Sequence, residues 1–263
     1  MKTFRDYLNE NRVSEAYTSK TGKIVPKNLE ELKKLVRLKR TNLANIDVSG
    51  FTDLSHLFYG SKRTDFSGIE NWDVSHIHNM RGMFRDCSTF TGKEIENWDV
   101  SNVMIASDMF TNCENFDADL SKWKLNKADS LSSMFMNCES FTGKGLDKWN
   151  VSKVTNMESL FYRCKNFTGK GLEKWNVSNV EKMQGMFTYC FNFTGKGLEK
   201  WNVSNVKNMS LMFTECTKLN VDLSKWDLRN VDEIKGIFYL TKIKIPENFL
   251  KKFKELGLDS KGE

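Results

Sequence analysis

The chain is poor in the residues that usually announce chemistry or disorder. Its two prolines exclude a Pro-rich linker or a low-complexity tail. Its three histidines, His56, His76 and His78, stand at no ligand spacing from a cysteine or carboxylate, so neither a metal site nor a catalytic set is suggested. Long apolar runs are missing. Nothing approaches a membrane span, and the opening M-K-T-F-R-D-Y-L-N-E-N-R lacks the apolar centre of a signal peptide and is followed by no lipobox-like Cys. The expectation is a chain that does not insert into a membrane and does not leave the cell by the usual route. Neither sign of charge dominates. Forty Lys+Arg against 34 Asp+Glu leave a net +6, too small an excess for a dedicated nucleic-acid binder.

What is present is repetition. Trp72, Trp98, Trp123, Trp149, Trp175, Trp201 and Trp226 follow one another at 25 or 26 residues, with Ile46 in the same slot of a first, degenerate copy. Twelve residues after each slot stands a Phe: Phe58, Phe84, Phe110, Phe135, Phe161, Phe187, Phe213 and Phe238. Columns of Val or Leu, of small aliphatic residues and of Met or Leu stand two, five and eight residues after the slot. A period in this range means a solenoid, in which each copy buries its apolar face only against its neighbours.

Within a copy, the segment around F-T-G-K-G-L-E-K-W predicts a short strand, and N-V-S-N-V a turn into a second extended piece. Met183, Met186, Phe187 and Cys190 stand at i, i+3, i+4 and i+7, which predicts a short helix. The fold class expected is therefore an α/β repeat solenoid, a right-handed stack of about eight coils over residues 46–240, about 35–40 Å long at the pitch of paired strands.

Both ends need covers. Residues 1–25 read as a short amphipathic helix with Phe4, Tyr7, Leu8 and Val13 on one face, then a linker. Over 26–45, Pro26, Asn28 as N-cap and Glu31 in capping-box position open a helix that runs through Arg40, with Leu29, Leu32, Leu35 and Leu38 as its apolar stripe. Over 241–263, Pro246 and Gly257 bracket a capping helix carrying Phe249, Leu250, Phe253 and Leu256, followed by a frayed tail from Asp259.

The six cysteines, Cys87, Cys113, Cys138, Cys164, Cys190 and Cys216, each follow the repeat Phe by three. One thiol per coil makes a column of small buried fillers rather than a zinc set. The Asp/Asn and Ser columns of D-V-S and N-V-S read as turn chemistry, with the Ser hydroxyl bonded to local backbone. The feature nearest to a binding site is T-G-K-G. It stacks Lys144, Lys170 and Lys196 in one row, extended by Lys93, and Lys148, Lys174 and Lys200 in another. Gly-rich turns with Lys can cradle an anion, although no Walker context surrounds these. The competing reading is a solvated edge of like charges that discourages aggregation.

The pattern W-D-V-S-N-V…M-x-x-M-F-x-x-C over about residues 26–240, with its P-K-N-L-E-E-L-K-K-L lead-in, closely resembles the BspA-like surface-protein repeat, a divergent leucine-rich repeat. The resemblance implies a leucine-rich-repeat-like solenoid displayed on a cell surface and engaged in adhesion or protein binding, with no enzymatic activity and no cofactor. The opening M-K-T-F-R-D-Y-L-N-E is also similar to short segments at the start of virion proteins of large tailed phages, which offers a structural or accessory virion part as the alternative. The partners expected are a protein or a surface glycan, with self-association as a further option.

Overall fold

The computed structural model describes residues 17–18 and 22–263. The helix expected over the first sixteen residues lies outside them. Strands β1 (Tyr17–Thr18) and β2 (Ile24–Val25) pair antiparallel, and β2 leads into the stack through a parallel bridge from Ile24 to Ile46. From there a single parallel ladder runs along the molecule through Asp53, Asn79, Ile105, Ser130, Asn156, Lys182, Asn208 and Glu233, one residue per repeat. This is a repeat solenoid.

The anatomy of a coil differs from what its periodicity predicts. Residues 171–190 serve as the example. Gly171, at φ 99°, opens a 3₁₀ turn over Leu172–Lys174 where a strand was expected. The turn closes with the Trp175 amide donating to the Leu172 carbonyl at 3.0 Å. A second turn follows, in which Val180 N–H donates to Val177 O at 2.9 Å, and the extended piece after it shrinks to the bridge residue Lys182. Met183 to Cys190 is not a helix. The amides of Met183, Gly185, Phe187 and Tyr189 donate to Asn208, Ser210, Met212 and Thr214 of the next coil. Those of Met186, Thr188 and Cys190 donate three residues back, to Met183, Gly185 and Phe187.

This alternation has a backbone requirement. An α-helix would keep every amide at i−4. To turn every second amide outward, the chain must reset twice per coil through the left-handed region. Among the described residues, all twelve non-glycine positions with positive φ lie ten or fourteen residues after the Trp slot, and Gly60, Gly82, Gly185 and Gly236 fill the remaining places. The i, i+3, i+4, i+7 spacing still puts Met183, Met186, Phe187 and Cys190 inside, all fully buried. A doubled turn and a helix share that signature.

The core is a set of columns. The Phe rings stack coil on coil, with centroids 5.2 Å apart for Phe58 and Phe84 and 5.8 Å for Phe161 and Phe187. A second aromatic column, Phe90, Phe116, Phe141, Phe167 and Phe193, lies against the first, at 4.2 Å between Phe161 and Phe167. Each Trp indole donates to a carbonyl of the preceding coil, as from Trp175 Nε1 to Leu146 O at 2.8 Å. Burying one such ring stabilises the fold by about 1.5–3 kcal/mol, so the stack is held by many equivalent contributions.

Helices α1 (Leu29–Arg37) and α2 (Glu247–Glu255) pack at the two ends. In α1, Leu32, Leu35 and Val36 are buried, and Asn28 Oδ1 accepts the Glu31 amide at 2.9 Å, as the capping residues imply. The helix ends at Arg37 rather than Arg40, because Leu38 is extended. The buried Arg63 guanidinium fixes that end by donating to the carbonyls of Val36, Leu38 and Thr41. In α2, Phe249 and Phe253 are buried and Leu256 is exposed. Phe249 sits 4.9 Å from Phe238 and 6.3 Å from Trp226. Asn248 Nδ2 donates to the Leu223 carbonyl at 3.2 Å, in the place the next indole would take. The tail is held rather than frayed: Gly262 O accepts the Gly236 amide at 2.8 Å, and Asp259 Oδ1 accepts the amides of Lys261 and Glu263.

Leu211 is 44% exposed with φ 60°, so it gains little from burial while occupying a conformation that disfavours a branched side chain. Leu211→Gly is expected to raise unfolding stability by about 0.5–1 kcal/mol in chemical denaturation. Gly145→Ala, whose Cβ would be driven into the Ser121 backbone, is expected to lower it by about 2 kcal/mol or more.

Candidate functional site

The lysines of L-E-K-W end the 3₁₀ turns Leu146–Lys148, Leu172–Lys174 and Leu198–Lys200 or their equivalents, and those of T-G-K-G stand just before them on the same exposed flank. Lys144 pairs with Asp117 at 2.6 Å, and Lys148 and Lys174 share Asp147 at 3.2 and 3.0 Å. Lys93, Lys170, Lys196 and Lys200 make no ion pair among the described residues. Two hollows of about 580 and 420 Å³ separate successive turns. Two of the glycine amides that could cradle an anion there are already occupied. Glu173 Oε2 accepts the Gly171 amide at 2.8 Å and Glu199 Oε2 accepts the Gly197 amide at 2.7 Å. The glycines are needed for stacking as well, since a Cβ on Gly197 would lie 2.5 Å from Glu173 Cβ in the coil before.

The thiols form the column expected. All six cysteines are free and buried, and each Sγ donates to a Phe carbonyl of the preceding coil, as from Cys190 to Phe161 O at 2.9 Å. Burial pushes the Cys87 thiol up to about 12 and the others well above the ordinary range. Such thiols are neither nucleophiles nor ligands at neutral pH. Among the described residues no group of His, Cys, Asp and Glu could hold a metal ion, and no helix is long and apolar enough to cross a membrane.

The turn chemistry is carried mainly by the residue before the Val. Asp73 Oδ1 accepts the Ser75 amide at 3.0 Å and Asn176 Oδ1 accepts the Ser178 amide at 3.1 Å, as turn chemistry in the Asp/Asn column implies. Where the residue is Asp, the Ser hydroxyl and amide together hold its carboxyl below the ordinary range, as at Asp47, Asp73 and Asp99.

On another flank lies a groove that periodicity did not single out. It has a volume of about 800 Å³ and crosses five consecutive coils, with no aliphatic or aromatic side chain in its lining. Its first row stands four residues after the Trp slot (Lys127, Lys153, Asn179, Asn205, Asn230) and its second row six after (Asp129, Thr155, Glu181, Lys207, Asp232). The buried aliphatic residue between the rows forces both to point outward. Asn179, Asn205 and Asn230 each donate Nδ2 to the carbonyl of Ser152, Ser178 or Ser204 one coil back, at 2.7 Å in all three cases. The signal was present in the Asn of V-S-N-V, but that residue reads as one more turn former until the inter-coil bond is seen.

Stacked columns of buried side chains with polar flanks define a repeat solenoid. A family model described as "Mycoplasma protein of unknown function, DUF285" matches residues 28–145, 52–169 and 129–248, overlapping matches that together span most of the repeats. The chain belongs to this family of BspA-like repeats. Comparison with curated proteins finds no match. A solved structure, a leucine-rich repeat protein from Eubacterium ventriosum, is similar at 14% identity and a TM-score of 0.37, over 89% of this chain and 52% of that one. The chain thus spans about half the length of that protein.

Two measurements check the buried groups. No thiol is expected to react with a disulfide reagent at pH 8 in the native protein, and all six are expected to react once it is unfolded; rapid native labelling would contradict the packing. The Asp carboxyls of the turns have folded pKa values below their unfolded ones. The stability they contribute is therefore complete above the unfolded value near 4 and is lost as pH falls through the folded values. Denaturation midpoints are expected to be level between pH 5 and 7 and to drop toward pH 3, less steeply in Asp73→Asn.

Proposed function

We propose that the chain is a non-enzymatic interaction module that recognises its partner through polar side chains on the flanks of the stack. The observation that carries this is a contrast between columns. The Trp, Phe and Cys positions repeat one side chain almost throughout, whereas the groove row six residues after the Trp slot runs Asp129, Thr155, Glu181, Lys207, Asp232. Packing dictates the first kind of column and leaves the second free. Acidic, basic and hydroxyl side chains, held at fixed spacing by a rigid stack, are what recognition of an extended partner needs. We read the stack as eight coils with α1 and α2 as end caps, and as right-handed because parallel crossovers overwhelmingly take that hand. The setting we favour is adhesion at a cell surface, with a protein or a surface glycan as partner. The virion alternative rests on residues 1–10, outside the described part of the chain.

Two flanks compete for the role, the groove and the lysine turns. Binding of the purified chain to intact bacterial or host cells, read by flow cytometry, distinguishes them. Lys153→Glu with Glu181→Lys is expected to reduce binding at least about ten-fold with little shift of the thermal transition, because Lys153 is exposed and Glu181 is half-exposed in a surface ion pair with Lys207. Lys170→Glu with Lys196→Glu is expected to change it by less than about three-fold. Loss with the second pair alone would move the site to the lysine turns, and absence of any cell binding would remove the adhesion reading.

A further inference from the structure

We infer that the groove is a track for an uncharged, linear, hydroxyl-rich glycan. The inference rests on the chain being an interaction module and names the partner class for one flank of it.

The first step is to separate side chains already engaged with a protein partner from those with none. Lys207 pairs with Glu181 at 2.8 Å. Arg229 closes a fork on Asp227, with Nε and Nη2 at 3.0 and 2.7 Å from its carboxyl oxygens. Lys127 Nζ donates to Asn102 Oδ1 at 2.6 Å. What remains without a protein partner among the described residues is the carboxylates of Asp129 and Asp232, the amide oxygens of Asn179, Asn205 and Asn230, and the Lys153 ammonium. The unpartnered set is five acceptor groups and one donor group, and Lys127, Lys207 and Arg229 beside it each keep unused N–H donors. The amide oxygens are also fixed in direction, because each Nδ2 is committed to a Ser carbonyl behind it. They are ready-made acceptors one coil apart.

The second step is to ask which ligand can satisfy that set. A polyanion brings only acceptors and would meet Asp129 at one end and Asp232 at the other. A polyamine brings donors but must pass Lys153. An extended peptide offers donors along one edge only at every second residue, about 6.6–6.8 Å apart, whereas coils repeat at about 4.8 Å, so it falls out of register within two coils. A chain of sugar rings carries hydroxyls around each ring. Every hydroxyl both donates and accepts, so it can serve the amide oxygens, the two carboxylates and the ammonium alike. Each such bond, made in competition with water, contributes little. Affinity must therefore come from several coils acting together, and it should grow with oligosaccharide length until the ligand spans the five coils, about 19 Å.

The test uses the full chain on a printed panel of neutral linear oligosaccharides of increasing length, with sialylated and sulfated glycans, spermine and an extended acidic peptide as the other arms, followed by calorimetry on any hit. The expected result is retention of at least one neutral series. Its affinity should rise about ten-fold or more from two to four rings and change less than about two-fold between roughly 50 and 500 mM salt. Asp129→Ala with Asp232→Ala, both exposed, is expected to weaken that binding about ten-fold or more with an unchanged thermal transition, and Lys153→Ala to weaken it less. Retention only of charged glycans, spermine or peptide, a blank panel, or a double variant that binds as the parent does would each overturn the inference. A blank panel with cell binding that still depends on Lys153 and Glu181 would overturn the ligand class alone. A blank panel with no cell binding would overturn the module reading as well.

Discussion

Each coil hands every second amide of one segment to its successor, and that alternation shapes most of what surrounds it. From Met183 to Cys190, four amides leave the coil and three stay within it. Neither a helix nor a strand distributes its donors in this way, so the backbone must pass through the left-handed region at Gly185 and again at Tyr189. The cost falls on whichever residue stands there. Asn112 and Asn137 bear it easily, and Leu211 and Leu240 do not. The coils accept the cost because a broken ladder would strand several buried amides at once.

The same accounting explains the conspicuous side chains. In a tight stack, inward carbonyls have two lone pairs and few backbone donors to meet them. Leu146 O accepts the Trp149 amide from its own coil and the Trp175 indole from the next. Phe161 O accepts the Cys164 amide and the Cys190 thiol in the same fashion. Trp and Cys are thus second donors to carbonyls that would otherwise be half satisfied, and this is why each recurs at a fixed place in most coils. At the last coil the pattern is closed by substitutes. Asn248 takes the carbonyl awaiting an indole, and the hydroxyl of Thr241, where a Cys would stand, turns back to Phe238 O at 2.8 Å.

Much of this was legible in the sequence. The Trp, Phe, Val and Cys columns name the inward face almost residue by residue, because burial against identical neighbours forces repetition. The local backbone was not legible. An apolar i, i+3, i+4, i+7 pattern describes which side chains face inward and says nothing of where the amides point. The left-handed positions were marked only in part, since glycine stands at four of them while Arg163, Tyr189, Glu215 and Leu240 occupy others. The second aromatic column is less plain in the sequence, where Leu219 replaces the Phe near its end. At the lysine turns, repetition drew attention to Lys170 and Lys196, while the role of Glu173 and Glu199 emerges only when the carboxylate is seen folded back on its own glycine amide.

The groove reverses the usual inference from repetition to importance. Its Asn row repeats for a structural reason, the bond from Nδ2 to the Ser carbonyl of the coil before, and that bond aligns the opposite end of the amide as a by-product. The row beside it is under no such demand and takes Asp, Thr, Glu, Lys and Asp in turn. A surface built this way has a fixed component, periodic and accepting, and a variable component that differs at every step. The periodic part suits a polymer, whose own repeat can be matched to the coils. The variable part can then discriminate among polymers by charge and by the placement of single donors. A compact partner would use only one or two coils of such a surface and leave its periodicity idle, whereas an extended partner uses the regularity that the fold imposes for its own reasons.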